Sequence, residues 1–241
     1  EVSIFFFDKR SVDKLHKPKR KEAVTEILRN GARQMERVSH PKILQVRAYK
    51  VEECADSLAF ASEPVLASLA NVLAYQITEA LLYLHGTRKV LHRNVCPASI
   101  IITKRGTWKL SGLEFIVFLE KMKELPMISL QPWTNRMSKM TQPNLDYIAP
   151  EIQQKKEGGF YSDMYSFGMT ICAIFNQGRP LIQANHNCSE YLKQLENLEE
   201  QVHVILPLVP LPLREAVSRL LHIDPEKRPT IQVLSMIKYF Q

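Results

Sequence analysis

Glycine is scarce in this chain: there are eight in 241 residues, and no two stand at G-x-G spacing. A backbone loop that cradles phosphates needs such glycines, so none can be read within these residues. Cysteine is thin as well. Cys54, Cys96, Cys172 and Cys188 are scattered without a C-x-x-C pair, which speaks against structural zinc and thioredoxin-like chemistry; free thiols in a reducing compartment are the expectation. His85, His203 and His222 have no partners at ligand spacing, and His186 with Cys188 supplies only two ligands, too few for a metal site. No apolar run approaches the roughly 18 residues that a membrane helix needs. The opening EVSIFFFDKR is too short and too soon charged for a secretory signal. It also lacks an initial Met, so we expect the true N-terminus to lie upstream.

What is present fits a soluble globular protein of one large domain or two lobes, with 45% hydrophobic and 24% charged residues. The net charge is +7, and seven Lys or Arg fall between Lys9 and Lys21. Two readings of that run stay open. It is a solvated loop leading into a helix, or a patch including Lys17, Lys19, Arg20 and Lys21 that meets anionic membrane or an acidic partner. Nucleic acid is disfavoured, because no aromatic residue interleaves with these charges.

The hydrophobic pattern predicts an α+β chain. A β-branched and aromatic strand covers 2–8. Val24, Ile27, Leu28, Met35 and Val38 recur at helical spacing over 21–38, with Gly31 inside at a cost of about 1 kcal/mol relative to Ala. Strands are expected over 43–52 and 57–63. After Pro64 a helix over 69–85 should end at Gly86, followed by short strands near Val90, at 100–102 and at 107–110. Residues 115–149 read as mostly irregular. Helices are predicted near 162–176, 189–200, 212–222 and 230–239, with Ser162, Ser189 and Thr230 as N-caps. Trp108 reads as core. The division is a small β-rich lobe, 1–63, and a helical lobe, 64–241.

The segment His92-Arg93-Asn94-Val95-Cys96-Pro97-Ala98-Ser99 resembles the catalytic loop of a protein kinase. In kinases an Asp stands at the place of Asn94 as catalytic base, and a metal-binding Asn at the place of Ser99. Eighteen residues past Asn94, Gly112-Leu113-Glu114 occupies the position of Asp-Phe-Gly. Gly112 offers no oxygen to Mg²⁺, a cation that demands it, while Leu113 keeps an apolar plug against His92. In the small lobe Val2-Ser3-Ile4-Phe5 fits the strand that normally ends in lysine, which puts Phe5 there. Gly31 stands where the partner glutamate of the helix is expected, and Glu26 faces elsewhere. The chain begins where the third strand of a kinase small lobe would stand, so the first two strands and their glycine loop are expected to be missing from it.

The frame of that fold is retained. Tyr147-Ile148-Ala149-Pro150-Glu151 matches the Ala-Pro-Glu segment, and Ser162 to Gly168 matches the start of the central helix. By resemblance Asp163 should hold the backbone of the catalytic loop, and Arg228, in Asp224-Pro225-Glu226-Lys227-Arg228-Pro229-Thr230, should pair with Glu151. Arg93 is the residue that reads a phosphorylated loop in kinases. Ser129, Thr134, Ser138 and Thr141 lie in the equivalent segment, and nothing marks one of them as modified.

Val2-Ser3-Ile4-Phe5, Leu58-Ala59-Phe60-Ala61-Ser62-Glu63-Pro64-Val65 with Ala67-Ser68-Leu69-Ala70-Asn71, and Trp108-Lys109-Leu110-Ser111-Gly112 are similar to the Scy-like pseudokinases, in their coated-vesicle-associated branch. The chain departs between Leu73 and Ala74, which is shorter, and over 116–145. The resemblance implies a two-lobed kinase-like fold and a catalytically inactive domain used for binding or scaffolding. A weakly active serine/threonine kinase is the alternative. It further implies clathrin and its adaptors as partners, helical repeats beyond the domain, and a cytoplasmic location, peripheral on Golgi, endosomal and coated-vesicle membranes. No cofactor is expected. If ATP binds, it should bind weakly and without normal Mg²⁺ coordination, in a pocket edged by Ser3, Ser62 and Glu63.

Overall fold

A computed structural model of the chain describes residues 2–9, 18–41, 43–46, 52–54, 57–68, 75–119 and 127–237. Strand β1 (Ser3–Asp8) turns Phe5 inward and leaves Ile4 and Phe6 exposed, the period of two that a half-buried strand requires. Helix α1 (Pro18–Arg37) buries Val24, Ala32 and Met35, and Val38 just past its end is buried too. Strand β2 (Glu52–Glu53) and strand β3 (Ser57–Ser62) complete an antiparallel sheet in the order β1-β3-β2, with Ser3 opposite Ser62 and Phe5 opposite Phe60. The predicted strand over 43–52 is broken up. Ile43 and Val46 make single bridges to Leu110 and Ser62, and 47–51 lie outside the described residues.

Strand β4 (Val65–Ser68) joins β6 (Ile100–Thr103) and β7 (Trp108–Leu110) in a second antiparallel sheet, with the predicted turn between the last two. Helix α2 (Tyr75–Leu82) does not stop at Gly86. It widens into a π turn, Tyr83–Arg88, closed by Lys89 in the left-handed conformation; residues 69–74 of the predicted helix are outside the described ones. Strand β5 (Val90–Leu91) pairs with β8 (Val117–Phe118), and β9 (Ile128–Ser129) with β10 (Glu157–Gly158); β8 and β9 fall inside the segment read as irregular.

The helical part is built on α3 (Pro150–Gln154) and α4 (Phe160–Phe175), the latter buried from Ser162 to Ile174. Gly168 lets the helix that carries Leu220 approach, since a Cβ there would lie 2.9 Å from the Leu220 Cβ. Two caps differ from expectation. Helix α4 starts at Gly159, and Ser162 sits one turn in, its Oγ accepting from the Gly159 N–H. Asn187, not Ser189, caps the next helix, because its side chain reaches the Ser189 and Glu190 amides. The stretch expected as one helix over 189–200 breaks at Asn197 into α5 (Cys188–Glu196) and α6 (Leu198–Ile205). Helices α7 (Leu211–Leu220) and α8 (Ile231–Ser235, capped by Thr230 as predicted) end the described chain. One hydrophobic core runs from Met35 of α1 and the following Val38 to Leu234 of α8, and Trp108 belongs to it.

Candidate active-site cleft

Asp163 organises the site from the first turn of α4. Its Oδ2 accepts from the His92 backbone N–H at 2.7 Å and its Oδ1 from that of Arg93 at 2.7 Å, so one carboxylate fixes the loop in which Arg93 takes a left-handed φ of 69°. The His85 Nε2 lies 2.9 Å from the same Oδ2. The His92 ring accepts from Asn94 N–H through Nδ1 at 3.2 Å and meets the Ser111 carbonyl through Nε2 at 2.9 Å. A neutral Nε2–H tautomer satisfies both contacts. Burial holds this imidazole below its ordinary pKa, with Asp163 and the Ser111 carbonyl pulling it back up. Arg93 is likewise lowered by burial and raised by Asp163, and its buried Nε has no hydrogen-bond partner.

The positions that would do chemistry are engaged in holding backbone. Asn94 Oδ1 accepts from the Asn144 N–H at 2.9 Å. Ser99 Oγ accepts from Cys96 N–H and donates to the Cys96 carbonyl, at 3.1 and 2.9 Å. Ser111 donates to the Ser99 carbonyl through both N–H and Oγ, at 2.7 and 2.9 Å. Gly112 has a φ of 75°, and a Cβ on it would stand 3.0 Å from the Ser99 Cβ; both facts favour glycine there. Leu113 is fully buried.

On the small-lobe side Phe5 stacks on Phe60, with ring centroids 5.0 Å apart and 4° between planes. Lys9, the nearest strand lysine, donates to the Cys54 carbonyl at 2.7 Å. Glu26 pairs with Arg29 on the outer face of α1. Gly31 faces the side chain of Glu114: a Cβ at Gly31 would lie 2.6 Å from the Glu114 Cγ. Burial pushes the Glu114 carboxyl above its ordinary range, opposed only by its own backbone N–H. These residues surround a cavity of about 230 Å³ lined by Phe5, Phe60, Asn94, Ser99, Gly112 and Glu114 among others.

Ser3, Ser62 and Glu63 do not line that cavity. Ser62 is fully buried and donates to the Glu63 carbonyl. Glu63 accepts from Gln45 N–H and pairs with Lys109 at 2.7 Å. Lys19, Arg20 and Lys21 lie in the first turn of α1; Lys17 lies outside the described residues. The clamp is where the sequence puts it. Arg228 Nη1 and Nη2 meet Glu151 Oε1 and Oε2 at 2.8 and 2.9 Å, Ser162 Oγ donates to the same carboxylate, and the guanidinium sits 4.9 Å from the Tyr165 ring centre.

The residues present do not fit a magnesium–triphosphate. Among the described residues no lysine, arginine or histidine lines the cavity, Glu114 is its one carboxylate, and no group of three metal-ligating side chains occurs. Sequence reasoning missed two features. His85, which the sequence shows only as a histidine without a partner at ligand spacing, is buried against Asp163 and Phe160. The Gly31–Glu114 juxtaposition had a signal: a carboxylate is missing at one position of the family pattern and gained at another.

A β-rich part followed by a helical one, a loop hung from an aspartate of the central helix, and a buried Glu–Arg clamp define a protein kinase domain with substituted catalytic positions. The protein kinase domain family matches residues 8–240. SCY1-like protein 2 of Mus musculus is 33% identical over 270 residues, covering 100% of this chain and 29% of that protein, and the Homo sapiens protein matches equally. Protein kinase-like protein SCY1 of Saccharomyces cerevisiae is 26% identical over 93% of this chain and 33% of that protein. The chain belongs to the protein kinase domain family, within its Scy-like group. It spans about a third of the length of these relatives.

Proposed function

We propose that this chain is a catalytically inactive kinase-like domain that serves as a binding or scaffold module in clathrin-associated vesicle traffic. The observation that carries the first half is Asn94: the base position holds an amide whose oxygen already accepts from Asn144 N–H. General-base help is worth about 10²–10⁴ in rate, and an amide does not provide it. The resemblance to the coated-vesicle-associated branch supports the second half. In this reading the domain works in the cytoplasm, peripherally on Golgi, endosomal and coated-vesicle membranes, with clathrin and its adaptors as partners. ATP is held weakly, if at all, and without normal Mg²⁺ coordination. No helix among the described residues is long and apolar enough to cross a membrane.

The test is phosphate transfer from ATP to a general protein substrate with Mg²⁺ or Mn²⁺, beside an Asn94→Ala control. No transfer above background is expected. Transfer that disappears in the Asn94→Ala protein would establish a weakly active kinase instead. For the surface, charge reversal at Lys17, Lys19, Arg20 and Lys21 should weaken association with acidic liposomes or with the coat, most visibly at low salt. Unchanged association there would dismiss the basic stretch as a docking element.

A further inference from the structure

Glu114 is half-buried at the wall of the 230 Å³ cavity, and among the described residues only its own backbone N–H favours the charged form of its carboxyl. No cation among the described residues approaches it. The two lysines on nearby strands are committed elsewhere, Lys9 to the Cys54 carbonyl and Lys109 to Glu63. The same cavity is lined by the stacked Phe5 and Phe60, with Met35, Leu44, Ala98 and Ile101 among its other apolar residues. The sign of the cleft is therefore inverted. Where a kinase gathers positive charge for phosphates, this cleft presents one carboxyl group and aromatic faces.

We propose that this cleft binds a small planar organic cation, an aryl amidinium or a protonated aromatic amine, with its charge on the Glu114 carboxylate and its ring against Phe5 and Phe60. Three observations converge. A buried carboxylate without a counter-charge is unfavourable, which is why burial drives this one toward its protonated form; a bound cation supplies the missing partner through a charge-assisted hydrogen bond. Aromatic faces attract cations as well as rings. The cavity is smaller than the roughly 300–1,000 Å³ of drug-sized sites, which suits a single ring with one substituent and not a nucleoside triphosphate. Gly31 is part of the site: only a residue without a side chain leaves room for Glu114 to lie beneath α1.

Benzamidine is the probe, with benzamide as its neutral and benzoate as its anionic analogue, and ATP with Mg²⁺ as the family's ordinary ligand. Binding is followed by ligand-observed NMR and calorimetry at neutral pH. Benzamidine should bind saturably, benzamide more weakly, and benzoate and ATP should not compete. Glu114→Gln keeps the size and removes the charge. It should weaken benzamidine about tenfold or more, the change expected for one lost charge-assisted contact. Phe5→Lys places an ammonium in the same cavity and should abolish binding, which locates the site even if the Gln variant folds poorly. The proposal is overturned if benzamidine fails to saturate, if both variants bind it like the parent, or if benzoate or ATP displaces it. None of these outcomes bears on the phosphate-transfer test.

Discussion

At the scale of single residues, two ionisable groups, the buried Arg228 and the half-buried Glu114, differ in the company they keep. Arg228 is matched by Glu151 through two parallel hydrogen bonds and by backbone carbonyls on its remaining donors. Arg228→Ala would strand the Glu151 carboxylate in the core, which typically costs about 3–5 kcal/mol; urea denaturation should show that loss. Arg228→Lys should also be destabilising, since an ammonium cannot reproduce the fork. Glu114 lacks such a match, and its carboxyl is raised by burial. Its contribution to stability is therefore full below the ordinary carboxyl value of 4.5 and fades as pH rises through the shifted one. The Cys96 thiol, also pushed up by burial, is the neighbouring titratable group and stays protonated throughout that window. Urea midpoints of the parent and of Glu114→Gln should diverge above pH 4.5, with the Gln variant gaining as pH increases. Parallel pH profiles would refute the assignment.

At the scale of elements, α1 and the 113–115 turn are fitted to each other through an absence. An exposed helical Gly→Ala change normally stabilises by about 1 kcal/mol. Gly31→Ala should do the reverse, because the new Cβ meets the Glu114 Cγ at 2.6 Å. Glu114→Ala should relieve the conflict, so a double-mutant cycle should return a coupling of about 0.5–3 kcal/mol; additive effects would show that the two positions are independent. The same contact shows what was legible in the sequence. Asp163, Glu151 and Arg228 could be placed in advance because each sits in a motif whose partners lie at fixed motif positions. The helices of the C-terminal part followed from their apolar spacing. Helix ends did not: Asn187 took its cap because its side chain reaches the Ser189 and Glu190 amides, while at Gly159 no side chain caps the helix and Ser162 Oγ, one turn in, accepts from the Gly159 N–H. His85 was unreadable because a π turn, which has no sequence signature here, carries it to Asp163. Ser3, Ser62 and Glu63 lie off the lining of the 230 Å³ cavity, where strand pairing and Lys109 engage them.

At the scale of the whole molecule, restoring the acidic and basic residues of a kinase together, by Phe5→Lys, Gly31→Glu, Asn94→Asp and Gly112→Asp, should lower the thermal midpoint by several degrees. Gly31→Glu collides with Glu114, and Gly112→Asp puts a side chain on a left-handed backbone facing Ser99. Misplaced side chains of this kind cost about 1–3 kcal/mol each, and about 1 kcal/mol moves the midpoint of a domain this size by roughly 2–4 °C. A differential scanning calorimetry trace with an unchanged midpoint would contradict this.

The Gly112 backbone carries a lesson about reversibility. On the proposed reading of the domain as inactive, any single step toward metal chemistry begins by loosening a tightly stitched corner, and it would deliver no turnover until the companion steps were in place. Loss of phosphoryl transfer at this corner would then behave like a valve, easy to pass in one direction and shut in the other.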